Sequence, residues 1–123
     1  MGTVLRLAVA VLALGCGGES EEKSKDEVAS GRALFIRNGC AVCHGESGRG
    51  DGQIAASLKP PPRDFRDLTA YKKGSSQEAI ALTIKRGVPG STMPGYPHIS
   101  AADRRLIAIY IRSLQGEAIR KEE

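Results

Sequence analysis

The sequence predicts an all-α domain of three main helices joined by long loops. Three stretches repeat apolar residues at helical spacing, each behind a Ser-x-x-Glu or Ser-x-x-Asp start and ahead of a glycine. No stretch alternates apolar and polar residues between turn signals, so no strand is predicted. At 123 residues the chain has room for one domain with its appendages.

The first helix opens at Ser24 with Glu27, places Val28, Gly31, Leu34 and Phe35 on one face, and ends at Gly39. Ser75 with Glu78 opens the middle helix, which carries Ile80 and Ile84 and leaves through Arg86-Gly87. Ser100 with Asp103 opens the last, where Leu106, Ile107, Tyr110, Ile111 and Leu114 recur before Gly116. Between them run "GESGRGDGQIAASLKPPPRDFRDLTAYKKG", with one short helical turn expected over Gln53 to Leu58, and "GVPGSTMPGYPHI". Loops of this length in a compact domain point to function or to a missing component of the core. Two Phe, three Tyr and no Trp make a thin core.

The N-terminal stretch "MGTVLRLAVAVLALGC" has one arginine, an apolar run from Leu7 to Leu14 too short to span a bilayer, and Gly15 ahead of Cys16. Residues 1–15 read as a signal peptide. Cys16 resembles the lipidated cysteine of a bacterial lipobox, and a plainly cleaved secretory signal is the alternative. Residues 16–27, glycine, serine and charge after the cysteine, read as a flexible tether. The domain proper is expected over residues 28–116 and a charged tail over 117–123. Together these predict an exported protein on the periplasmic side of a bacterial membrane, anchored by lipid.

From Ser30 to Lys121 there are fifteen Lys and Arg against seven Asp and Glu. A body this basic suits redox partner proteins with an acidic docking face, or an anionic lipid surface. A solvated surface that serves solubility explains the excess equally well. Nucleic acid is not expected as a partner of an exported chain.

Cys40 and Cys43 stand three apart with His44 directly after, in "NGCAVCHGESGRGDG". A thioredoxin-like pair would follow a strand and open a helix, whereas this pair follows a helix. Zinc would need four tetrahedral ligands, and Cys40, Cys43 and the distant His98 supply three. A disulfide would leave the histidine and the long loops unexplained. Cys-x-x-Cys-His is the signature of c-type haem attachment: two thiols at this spacing reach the two vinyl groups, and His44 is carried under the ring as an iron ligand. One covalent haem c would also supply the apolar bulk that the core lacks. Gly45 is the glycine expected to approach the haem closely, the neighbouring glycines forming an ordinary turn. In "KPPPRDF" a proline carbonyl accepting from the His44 ring and a plain rigid spacer are equal alternatives. Arg63 is one of several basic residues able to pair with a propionate.

Met93 is the only methionine after the N-terminal Met1, and it lies among glycines and prolines rather than on an apolar helical face. A thioether on a stiffened loop suits iron, so Met93 is the expected sixth ligand, with His98 as its rival.

The order of these features resembles the small monohaem class I cytochromes c: a helix leading into Cys40-Ala-Val-Cys43-His44-Gly45, a glycine- and proline-containing loop, a middle helix, "GVPGSTMP" and a closing amphipathic helix. The likeness spans about Ser24 to Gln115. It implies that the first and last helices cross at a small residue beside aromatics, where Gly31, Phe35 and Tyr110 stand. It also implies one-electron transfer with no substrate turned over. Nothing else in the chain suggests catalysis, since no paired carboxylates, nucleophile-base pair or phosphate loop accompany the motif. A membrane-tethered electron carrier is therefore the expected function. A haem enzyme or sensor with an open sixth site, and a permanent subunit of a respiratory or dehydrogenase complex, are the alternatives.

Overall fold

A computed structural model describes Gly2, residues 18–71 and residues 73–121. Apart from Gly2, the expected signal peptide and Cys16 lie outside the described residues. Four α-helices follow in order: α1 (Gly18–Arg37), α2 (Cys40–His44), α3 (Gln77–Arg86) and α4 (Ala101–Lys121), with 3-10 turns at Ala55–Ser57 and Leu68–Ala70. There is no strand among the described residues. No helix among them is long and apolar enough to cross a membrane.

α1 begins at Gly18, six residues before the Ser24 start that the sequence suggests. Residues 18–27, expected as a flexible tether, are instead its first turns. Glu19 and Glu21 in the first turn complement the helix dipole, and Glu19 with Lys23 and Glu21 with Lys25 have the supportive i, i+4 spacing. This charge patterning holds a helix that has no apolar face to bury, and the segment stays exposed as far as Asp26. Glu27 then meets Arg105 of α4 at 3.6 Å.

The middle helix is shifted one residue from expectation, because Ser76 rather than Ser75 is the cap: its Oγ accepts from the Ala79 N–H at 3.1 Å. At α4 the expected cap forms, Ser100 Oγ accepting from the Asp103 N–H at 3.0 Å. α4 does not stop at Gly116 but runs on to Lys121, so residues 117–121 continue a helix rather than form a separate tail. A glycine ends a helix when it takes the left-handed closing conformation, and Gly116 does not take it.

α1 and α4 cross at Gly31, which is buried. A methyl there would meet Tyr110 Cβ at 2.9 Å and press harder still on the Leu106 carbonyl. The absence of a side chain is thus what lets the two backbones approach. Beside the crossing lies Phe35, 1% exposed, packed edge-on against Tyr110 at 5.3 Å and against Phe65 at 6.1 Å between ring centroids. α3 adds Ile80 and Ile84, and α4 adds Ile107, Ile111 and Leu114, to the same core. Gly31→Ala should lower stability by about 1–3 kcal/mol, the range for overpacking a closed interface. Denaturant unfolding monitored at the helical signal checks this, and an unchanged midpoint would contradict the close crossing.

Candidate haem site

α2 is one short helix, Cys40–His44, with no buried residue of its own. Its position comes from what closes around it. Gly39, left-handed at φ 79°, turns the chain from α1 into it. Its terminal carbonyls are then all taken up by the loop that follows: Ala41 by the Gly45 N–H at 2.8 Å, Val42 by Ile54 at 3.2 Å, Cys43 by Gly52 at 3.0 Å and His44 by Gly50 at 2.8 Å. A side chain at Gly52 would collide with the Val42 and Cys43 carbonyls, and one at Gly50 would meet Pro62 O at 2.6 Å. Gly48 is equally confined, 2.7 Å from both Leu114 and Phe65 in the same sense.

These glycines are close-approach positions, not the ordinary turn expected of them. Gly45, expected to face haem, is packed instead against Asp51 and does not line the cavity described below. The signal available in the sequence was the alternation of Gly48, Gly50 and Gly52, which brings the backbone close at every second residue.

The His44 ring lines a cavity and is held from two sides. Its Nδ1 lies 3.3 Å from the Arg63 carbonyl oxygen. A carbonyl only accepts, so Nδ1 carries the hydrogen and the free lone pair belongs to Nε2. The partner is thus Arg63, one residue beyond the prolines that the sequence suggested. Phe65 stacks on the imidazole, 4.4 Å between centroids and 24° between planes, a contact with no signal in the sequence. Burial pushes the His44 pKa down, and the positive charge of Arg63 adds to this, against the opposing carbonyl hydrogen bond. The imidazole is thereby held neutral, the form that ligates a metal.

Cys40 and Cys43 are both free thiols. Burial pushes Cys40 up to about 11, against a backbone hydrogen bond and with Cys43 reinforcing the rise. A reactive disulfide-exchange cysteine needs the opposite shift, so the thioredoxin-like alternative loses its physical basis. Among the described residues no three His, Cys, Asp or Glu side chains are grouped to hold a metal ion, which leaves the zinc alternative without a site.

The cavity measures about 560 Å³, within the roughly 300–1,000 Å³ usual for small-molecule and cofactor sites. Cys40, Cys43, His44 and Met93 all line it, whereas His98 does not. Its walls are otherwise mainly apolar, with Ile80 and Ile84 from α3, Ile111 from α4, and Phe65 and the prolines from the loops. Arg63, Tyr71 and Lys73 bring polar groups to it. Arg63 also lies over the Tyr71 ring, 5.4 Å from its centroid. Two thiols, a neutral imidazole and a thioether around an apolar space fit a covalently attached haem: Cys40 and Cys43 would hold its edge, and His44 and Met93 would hold its iron.

The Met93 loop is tied to the end of α3. The Val88 N–H donates to Met93 O at 3.2 Å, the Tyr96 N–H to Ile84 O at 2.8 Å, and the Met93 N–H to Ser91 Oγ at 3.2 Å. A side chain at Gly87 would meet Met93 O at 2.8 Å, so the loop folds tightly back on the helix that it leaves.

The cytochrome c family model matches residues 28–115. This chain belongs to the cytochrome c family. Its cofactor is one covalently bound haem c, and its chemistry is electron transfer. It is similar to cytochrome c oxidase subunit 2 of Alkalihalophilus pseudofirmus, 28% identical over 82% of this chain and 30% of the relative. It is also similar to the cbb3-type cytochrome c oxidase subunit FixP of Bradyrhizobium diazoefficiens, 30% identical over 73% of this chain and 28% of the relative. Among solved structures it resembles a chain of the Kuenenia stuttgartiensis reducing HAO-like protein complex. That match has a TM-score of 0.64 and 28% identity, over 73% of this chain and 44% of the other. The chain therefore spans less than a third of the curated relatives named here and under half of the structural one.

Because core residues of α3 and α4 form walls of the cavity, those helices lack apolar partners on that side without a cofactor. Cys40→Ala combined with Cys43→Ala should leave little helix by circular dichroism. A cooperative melt of a fully helical chain would contradict this.

Proposed function

We propose that this cytochrome c is a membrane-tethered one-electron relay on the periplasmic side of a bacterial membrane, with Cys40 and Cys43 as its thioether residues and His44 and Met93 as its axial ligands. The observation that carries the reading is the shared cavity: the motif residues and Met93 line it together, and His98 does not. When bound, the haem supplies an iron that gains and loses one electron. The protein's part is to hold a neutral imidazole in one tautomer through Arg63 and Phe65, to present a soft thioether, and to surround both with apolar walls. A histidine and methionine pair favours the reduced state more than two histidines do. With two strong protein ligands there is no open position for substrate, which separates a carrier from a haem enzyme or sensor.

The basic residues Lys59, Lys73, Lys85 and Arg86 are exposed, and Lys73 also borders the cavity. Exposed positive charge of this kind suits transient docking of an acidic redox partner. A second reading, a permanent subunit of a larger redox assembly, is favoured by the relatives, two of which are named as oxidase subunits. Gel filtration of the protein extracted in mild detergent separates the two.

The ferric protein should show the red-region iron–sulfur charge-transfer band. Met93→Ala should abolish it and open the ferrous iron to carbon monoxide, while His98→Ala should do neither. If the band is absent from the unaltered protein and His98→Ala is the variant that turns high-spin, His98 is the ligand. For the tether, Cys16→Ser should release the protein from the membrane fraction or leave it unprocessed, with haem incorporation intact. An intact mass showing a free N-terminus beyond Cys16 would refute lipidation.

A further inference from the structure

Tyr71 belongs neither to the Cys-x-x-Cys-His motif nor to the Met93 loop, yet its contacts converge on the segment that holds His44. Its hydroxyl donates to the Phe65 carbonyl at 2.8 Å. Its ring faces the Arg63 guanidinium. Arg63 supplies the carbonyl that accepts from His44 Nδ1, and Phe65 supplies the ring stacked on the imidazole. The same segment is held separately by the Phe65 N–H, which donates to Gly48 O at 2.8 Å. One side chain thus grips both residues that orient the histidine.

We propose that Tyr71 is a positioning residue that clamps residues 63–65 and so sets the strength of the hydrogen bond from His44 Nδ1 to the Arg63 carbonyl. This rests on His44 as an iron ligand. A firmly placed acceptor draws the Nδ1 proton and makes the imidazole a better electron donor, which favours ferric iron. A loosely placed acceptor weakens that donation. Burial pushes the Tyr71 pKa up, against a side-chain contact with Gln115 that favours the ionised form, so the phenol keeps the hydrogen that it donates. The hydroxyl hydrogen is directed to the Phe65 carbonyl.

The test uses the haem-loaded protein with Tyr71→Phe, which keeps the ring beside Arg63 and removes only the hydroxyl. Exchange of the His44 Nδ1 hydrogen, followed by NMR in the ferrous state, should quicken about fivefold, the order set by one net hydrogen bond. The ferrous state should gain about threefold, a rise in potential of about 28 mV at 59 mV per tenfold for one electron. A residue that merely filled space would, when altered, admit water and lower the potential, since water stabilises the ferric charge.

Replacing Tyr71 by 3-fluorotyrosine, a stronger donor of nearly the same shape, should slow the exchange and lower the potential, and it keeps the test open if Tyr71→Phe takes up no haem. Unchanged exchange and potential in the altered proteins, or a potential that falls in Tyr71→Phe, would overturn the clamp. His44→Ala separates the two claims. A low-spin spectrum that survives it overturns His44 as ligand, and with it the clamp. A high-spin spectrum beside an unresponsive Tyr71→Phe overturns the clamp alone.

Discussion

The close crossing of α1 and α4 at Gly31 sets where the attachment motif stands against the cavity. α2 carries the attachment motif but is only half-buried, with Cys40 and Ala41 packed against the core, so its place depends on the elements around it. Phe35, one turn beyond Gly31 on α1, is buried against Tyr110 and Phe65 and lies 6.4 Å from the His44 ring. Tyr110 in turn donates from its hydroxyl to the Glu46 carbonyl at 2.6 Å, pinning the start of the glycine loop to α4. The glycine loop then closes on the carbonyls of α2. A shift of the crossing would therefore move the imidazole through a continuous path of aromatic rings and backbone bonds.

Much of this was legible in the sequence, and the pattern of success follows from what each signal measures. Apolar periodicity located Phe35, Ile80, Ile84, Ile107, Tyr110, Ile111 and Leu114 because burial on one helical face is what it reports. The Cys40, Cys43 and His44 spacing pointed to haem c because few chemistries need two thiols and an imidazole so arranged. The ends of helices were less legible. Glu19, Glu21 and their lysine partners support a helix through backbone and charge alone, so a segment without hydrophobes looked like a tether. Gly116 looked like a stop because composition does not reveal the φ that a glycine takes.

Contacts made by backbone were harder to see. The acceptor for His44 is a main-chain oxygen of Arg63, and a main-chain acceptor leaves no mark in residue type. The spacing of Gly48, Gly50 and Gly52 hints at close approach, but the partners, Leu114 and Phe65 side chains for Gly48 and backbone carbonyls for Gly50 and Gly52, are set by the tertiary fold. Met93 differs: its isolation among glycines and prolines was visible, and the structure brings it to the same cavity as the motif. The relatives carry comparable sequence as a minor part of longer chains.

All of this depends on Cys40 and Cys43 holding one haem covalently in this cavity. Intact-mass measurement of protein produced with a haem-attachment system, paired with a pyridine haemochrome spectrum, tests it most directly. The expected result is a mass increased by one haem per chain and a haemochrome of the two-thioether type. A chain at its bare polypeptide mass, or lighter by two hydrogens through a bond between Cys40 and Cys43, would contradict it.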